Sequence, residues 1–223
     1  MTQIDLDSIW NYYLSIETDL ASTSQFIEPR GQENVFSFEF FKILILSCTE
    51  VEAVFKDLCM EKTGKKGGNI SEYKETILTH FPRIIYAKVY ISRWGKAIFP
   101  FEGWDSGKLK WWDAYNAIKH NRNDNFHDAT YQNAVYALSA LYILILYLSK
   151  TTRLELNDTG SKYIFSEYTY KLFAGAPDRK LPDFETQKSK NLTERIDRTT
   201  RVYYGSDEPE NPNNGDIWFK TLD

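Results

Sequence analysis

The chain is expected to fold as a mainly α-helical protein, and three observations predict it. Apolar residues recur at three- and four-residue steps through residues 5–26, 37–62 and 129–149. Glycine and proline gather between these runs, where helices end. Within the helical region, the β-branched and aromatic content of paired strands is confined to the short stretch 84–101.

The first helix is read over residues 5–26, where Leu6, Ile9, Trp10, Tyr13, Ile16 and Leu20 make one face and Pro29 with Gly31 ends the run. A longer helix follows over 37–62. Its stripe is Phe41, Leu44, Cys48, Val51, Phe55 and Leu58, and Gly64, Gly67 and Gly68 stop it. Within it, Glu52 and Lys56 have the i, i+4 spacing of a solvated surface pair.

A short helix from about Ser71 must close before Pro82, because the residue preceding a proline is driven out of the helical region. Residues 84–101, IIYAKVYISRWGKAIFPF, then form either a short hairpin or an extended crossing. The stretch KLKWWDAYNAIKH, residues 108–120, reads as a helix with Trp111, Tyr115 and Ile118 buried, and the polar run NRNDN breaks it. Asn125 or Asp124 is expected to cap the strongest core helix. With Asn125 as cap, Asp128 falls at its third position, close to a capping box. Its stripe is Ala134, Leu138, Leu141, Ile145 and Leu148.

Beyond Thr151 the pattern weakens. A strand or helix is expected at residues 163–173, a loop at 174–190, and a short amphipathic helix at 191–204 through Leu192, Ile196 and Val202. The end is turn-rich, with an aromatic tip of Ile217, Trp218 and Phe219 that docks on the same chain or on a partner. Its PENPNNGDIWF segment resembles terminal segments of phage structural proteins in which a turn introduces an aromatic strand. The organisation expected is therefore a helical domain over residues 1–150 and a partly irregular extension over 151–223.

Composition narrows the class. With 42% hydrophobic and 26% charged residues the chain has the balance of a globular protein rather than a disordered one. A net charge of −4 excludes a protein that coats nucleic acid through a wide basic surface, and leaves room only for a local phosphate site. Cys48 and Cys59 stand too far apart on one helix to bridge within it, and read as core thiols of a reducing cytoplasm. The acidic start MTQIDLDSIW does not read as an export signal. Residues 129–149 carry no charge, but Gln132, Asn133 and several tyrosines interrupt them and no Lys or Arg run sets an orientation. A buried bundle helix is expected there, with no membrane partner.

The chemically suggestive stretch is YNAIKHNRNDNFH, residues 115–127. Asn116 and His120 are four apart and share a helical face. Arg122 and His127 would flank a turn, with His127 in the first turn of the long helix, where unpaired N–H groups and the helix dipole suit a phosphate. A guanidinium matches phosphate oxygens bidentately, and histidine is the side chain best suited to moving protons near neutral pH. Lys108, Lys110 and Lys119 add local positive charge. On spacing alone the structural reading leads: a histidine in a cap region often only hydrogen-bonds, and an arginine beside Asp113 or Asp124 often only forms a surface ion pair. No metal set is expected from three histidines, of which His80 is isolated, with no Cys-x-x-Cys. No phosphate-loop motif occurs, and no cofactor is expected.

The order WWDAYNAIKHNR, a polar loop, then FHDATYQNAVYALSALYIL, with PFEGW upstream at residues 100–104, resembles HEPN-type helical domains. It resembles in particular the uncharacterised prokaryotic HEPN-like proteins that carry a W-x-x-Y-N-x-x-K-H-x-R stretch. The resemblance covers about residues 5–150. It implies a four- to five-helix bundle, a homodimer and, in active members, metal-independent RNA cleavage by an Arg, a polar residue and a His near the start of the last core helix. Two registers fit. Arg122, Asn123 and His127 match the wording directly, whereas Tyr115, Asn116 and His120 keep the Asn and His but put Tyr in place of Arg.

Two functions are therefore expected from different classes. The first is a cytoplasmic HEPN-like RNA-binding protein or ribonuclease of a defence or toxin–antitoxin system, with a cognate protein partner. Arg122, His127 and His120 would be catalytic, and Asn116, Lys119 and Asn123 would hold RNA or phosphate. The second is a non-catalytic helical dimerisation module whose polar loop only caps helices.

Overall fold

The structure is a computed structural model that describes residues 4–91, 94–154, 202–205 and 217–220, the last two segments as backbone. Asp5 opens the first helix, α1 (Leu6–Thr23), by accepting the Ser8 N–H at 3.0 Å. Leu6, Trp10, Tyr13, Ile16 and Leu20 form its buried face. The expected run to residue 26 is shortened, because residues 24–26 turn back through hydrogen bonds to Ala21, Ser22 and Thr23 carbonyls.

Ser37 caps α2 (Phe38–Thr63), its hydroxyl accepting the Phe40 N–H at 3.1 Å, and Gly64 closes it in the left-handed region at φ 73°. Glycine adopts that conformation without a Cβ clash. The stripe differs from expectation by one residue: Phe40 is buried and Phe41 only half-buried. Lys56 and Glu52 form the expected surface pair at 2.8 Å. Asn69 caps α3 (Ile70–His80), and Pro82 follows as anticipated, opening a 3-10 turn over Pro82–Tyr86. That turn takes up the first residues of the stretch read as extended. The hairpin is consequently short: β1 (Val89–Ile91) pairs antiparallel with β2 (Lys96–Ile98), Val89 opposite Ile98.

The PFEGW turn is held from inside. Phe101 and Trp104 are buried, and both rings meet Phe55 of α2, which also stacks on Tyr73 at 5.4 Å. Trp111, in α4 (Lys110–His120), donates its indole N–H to the Pro100 carbonyl at 2.9 Å. Trp111, Tyr115 and Ile118 form the buried side of α4, as its periodicity predicts. A single turn, α5 (Arg122–Asn125), and a 3-10 turn over Phe126–Asp128 lead to α6 (Tyr131–Thr152).

Thr130 caps α6, its hydroxyl accepting the Asn133 N–H at 3.1 Å, so neither Asn125 nor Asp124 is the cap and Asp128 lies outside the helix. The segment 121–129 has its own turns, and α6 starts only where a hydroxyl is in reach. α6 is the central helix: it packs chiefly on α2, α1 lies against both, and α4 joins them. It is long and apolar enough to cross a membrane, yet 78% of its most apolar window is buried inside the protein, which makes it a bundle-core helix. Cys48 and Cys59 are both free and buried.

The chain divides into two compact units, Met1–Asp183 and Phe184–Asp223. The division was expected at residue 150; the intervening residues 155–183 lie outside the described ones. In the second unit, β3 (Val202–Gly205) pairs in parallel with β4 (Ile217–Lys220), Val202 opposite Ile217. Val202 therefore belongs to a strand rather than to the expected helix. The aromatic tip is also a strand, while the elements expected at 163–173, 174–190 and 191–201 lie outside the described residues.

Candidate functional site

The linker between α4 and α6 is built by its asparagines. At Asn121 the backbone leaves the helical region, at φ −147° and ψ 86°, and α4 stops. Asn125 then reaches back, donating its side-chain amide to the Asn121 carbonyl at 2.8 Å and the Ala117 carbonyl at 3.2 Å. Both carbonyls lie at the C-terminal end of α4 and also accept backbone N–H groups, that of Ala117 from Asn121 and that of Asn121 from Asn125. The Asn121 amide also donates to Asp124. At the far end, Asn133 donates its side-chain amide to the Asp128 carbonyl at 2.9 Å. The linker is thus strapped to both helices.

A second strap comes from the connection between α1 and α2. The Tyr131 and Gln132 N–H groups donate to the Val35 and Glu33 carbonyls at 2.8 and 2.9 Å, and Phe36 makes an isolated antiparallel bridge with Thr130. This lays the sequence FSFEFF, residues 36–41, beside the linker. Phe126 packs against Phe38 at 4.7 Å, Phe36 at 5.9 Å and Phe41 at 6.0 Å.

The predicted site residues separate into two groups on this frame. Arg122, Asn123 and His127 all sit on the linker and are exposed. The Arg122 guanidinium carbon lies 5.8 Å from the Phe41 ring centroid. His127 keeps 65% of its side chain in solvent, with Nε2 3.6 Å from a carboxylate oxygen of Asp128, too long for a hydrogen bond. Because α6 begins at Tyr131, His127 lies in the preceding 3-10 turn and not in the first turn of the long helix. The expected contribution from that helix's dipole is accordingly weaker, since it fades beyond the terminal turn.

Asn116, Lys119 and His120 lie on α4 instead, Asn116 half-buried and the other two exposed. The Lys119 ammonium donates to the Tyr115 hydroxyl at 3.1 Å, and this bond raises its pKa above the ordinary lysine value. Tyr115 itself is buried against Trp112. Lys108 and Lys110 do not join this charge. They stand at the other end of α4, about 15 Å along its axis from His120. There they line a separate cavity of about 300 Å³ with Glu102, Gln132 and Tyr136. Among the described residues, no hydrogen bond or ion pair links Arg122, His120 and His127 to one another, and no group of three His, Cys, Asp or Glu side chains stands close enough to hold a metal ion.

Periodicity could not find the exposed rings of Phe36 and Phe38, because they precede or open α2 and belong to no stripe. The visible signal was four phenylalanines within residues 36–41, more than one helix face can bury. The chain matches no family model, no curated protein and no solved structure.

Proposed function

We propose that the chain is a HEPN-like protein that binds RNA and cleaves it without a metal, through Arg122 and His127. The observation that carries this reading is their placement: both are exposed, on consecutive turns of a linker whose backbone is fixed by Asn125 and Asn133. The other register is disfavoured by its own geometry, since Tyr115 occupies the arginine position from within the core.

In this reading His127 takes the proton of a ribose 2′-hydroxyl. The 2′-oxygen then attacks the adjacent phosphorus, and Arg122 holds the charge gathering on the phosphate oxygens. The P–O5′ bond breaks, leaving a 2′,3′-cyclic phosphate, and an imidazolium of a second copy protonates the departing 5′-oxygen. A homodimer supplies that acid by bringing two linkers together. Asn123 orients the phosphate, while Asn116, Lys119 and His120 on the neighbouring end of α4 extend the contact. A metal-free ribonuclease of this kind belongs in the cytoplasm as part of a defence or toxin–antitoxin system, held in check by a cognate protein.

The experiment is RNA cleavage by the purified protein in EDTA, compared with His127→Ala and His120→Ala variants. Cleavage lost in His127→Ala and largely kept in His120→Ala is expected. Equal background cleavage in all three would remove the enzyme and leave the non-catalytic dimerisation module.

A further inference from the structure

We infer that Phe36, Phe38 and Phe126 form a stacking platform for an unpaired base of an RNA strand whose phosphate is held at Arg122. This rests on the RNA reading above and gives it a substrate class: single-stranded rather than duplex RNA. Phe36 and Phe38 are 50% and 74% exposed although both belong to an aromatic cluster, and Phe126 bridges them to the linker. Singly exposed rings need no explanation, but a contiguous aromatic patch rimmed by polar residues marks an interaction site.

Charge and size choose the occupant. Two of the carboxylates around the patch are paired with lysines, Glu33 with Lys96 and Glu39 with Lys42, while Asp124 accepts from the neutral Asn121 amide and Asp128 stands beside His127. Arg122 touches the Phe41 ring, and among the described residues no carboxylate pairs with it. An unpaired guanidinium beside exposed rings suits a ligand that is anionic and flat within one nucleotide's reach. The exposed parts of Phe36 and Phe38 together come to roughly 250 Å², the scale of one or two bases. A stable dimer needs about 800 Å² from each partner, so the rings alone are too small for one. Duplex RNA keeps its bases stacked inside and offers no free face to the platform.

The test uses the full chain and a 2′-O-methyl oligonucleotide containing 2-aminopurine, which binds without offering the attacking hydroxyl. Wild type should quench the fluorophore and prefer the single strand to a duplex of the same sequence. Phe38→Ala should weaken binding about tenfold, and Phe38→Trp should restore it. Phe38 is exposed, so thermal melts of these variants should match wild type. If Phe38→Ala binds as tightly as wild type while Arg122→Ala does not, the platform is overturned and the RNA reading stands. If wild type binds neither strand nor duplex, both fall. If Phe38→Ala instead turns a dimer into a monomer by sedimentation, the rings belong to a second copy and the platform is overturned.

Discussion

Arg122 lies over the Phe41 ring at 5.8 Å, which places one of the three candidate catalytic side chains against α2 rather than against the helices its own linker connects. The contact leaves the guanidinium N–H groups free to meet a phosphate while limiting where they point.

Removing that side chain should therefore separate activity from stability. Arg122→Ala is expected to lower RNA cleavage by about 10²–10³-fold. Arg122→Lys should recover part of it, because an ammonium keeps the charge and loses the fork. An exposed cation–ring contact contributes about 0.5–1 kcal/mol, so thermal melts should move by only about 2 °C.

Tyr115 tests the other register. It is 3% exposed and its hydroxyl accepts from Lys119. Tyr115→Phe should cost about 1 kcal/mol in denaturant titrations. Tyr115→Arg, which supplies the arginine that the HEPN resemblance would call for at that register, should not create activity. It should destabilise by more than about 4 kcal/mol, because a guanidinium would be buried without a partner.

Trp111→Phe removes the indole N–H that the Pro100 carbonyl accepts and should cost about 1–3 kcal/mol. Its ring contact with Phe101 is largely kept, so near-ultraviolet circular dichroism of the native state should change little beyond the lost indole band.

Asp57 gives a pH dependence. Burial raises its carboxyl above the usual range; Lys66 opposes this and Glu61 adds to it. Glu50 is raised by burial and then by Asp57. With folded pKa values above the unfolded ones, the native state binds more protons within that window. Stability therefore falls as pH rises through it, and the cost is complete above the folded pKa. Asp57→Asn should raise the melting temperature at pH 7 by about 2 °C and leave it unchanged at pH 3. An equal gain at both pH values would overturn the titration account.

The helices were legible because burial leaves a periodic trace: the α1 face and the α6 stripe lie where their spacing put them. Their ends were less so. The α6 cap was misplaced because asparagine is the stronger capping residue in a sequence, and only the folded linker shows that the Asn125 amide is used on the carbonyls of Ala117 and Asn121 at the end of α4, leaving Thr130 as the cap. Arg122, Asn123 and His127 could be named from the linear motif. Their aromatic neighbours could not, since Phe36 reaches Phe126 through a strap between segments far apart in the chain.

That strap also sets an order of events during synthesis. Val35 and Glu33 leave the ribosome long before their partners Tyr131 and Gln132, and the linker's Asp128 carbonyl waits for Asn133. Long-range closures of this kind come late in folding. A chain interrupted anywhere before α6 lacks the pieces that shape its linker, so a fragment released by stalled translation would carry Arg122 and His127 without the frame that holds them.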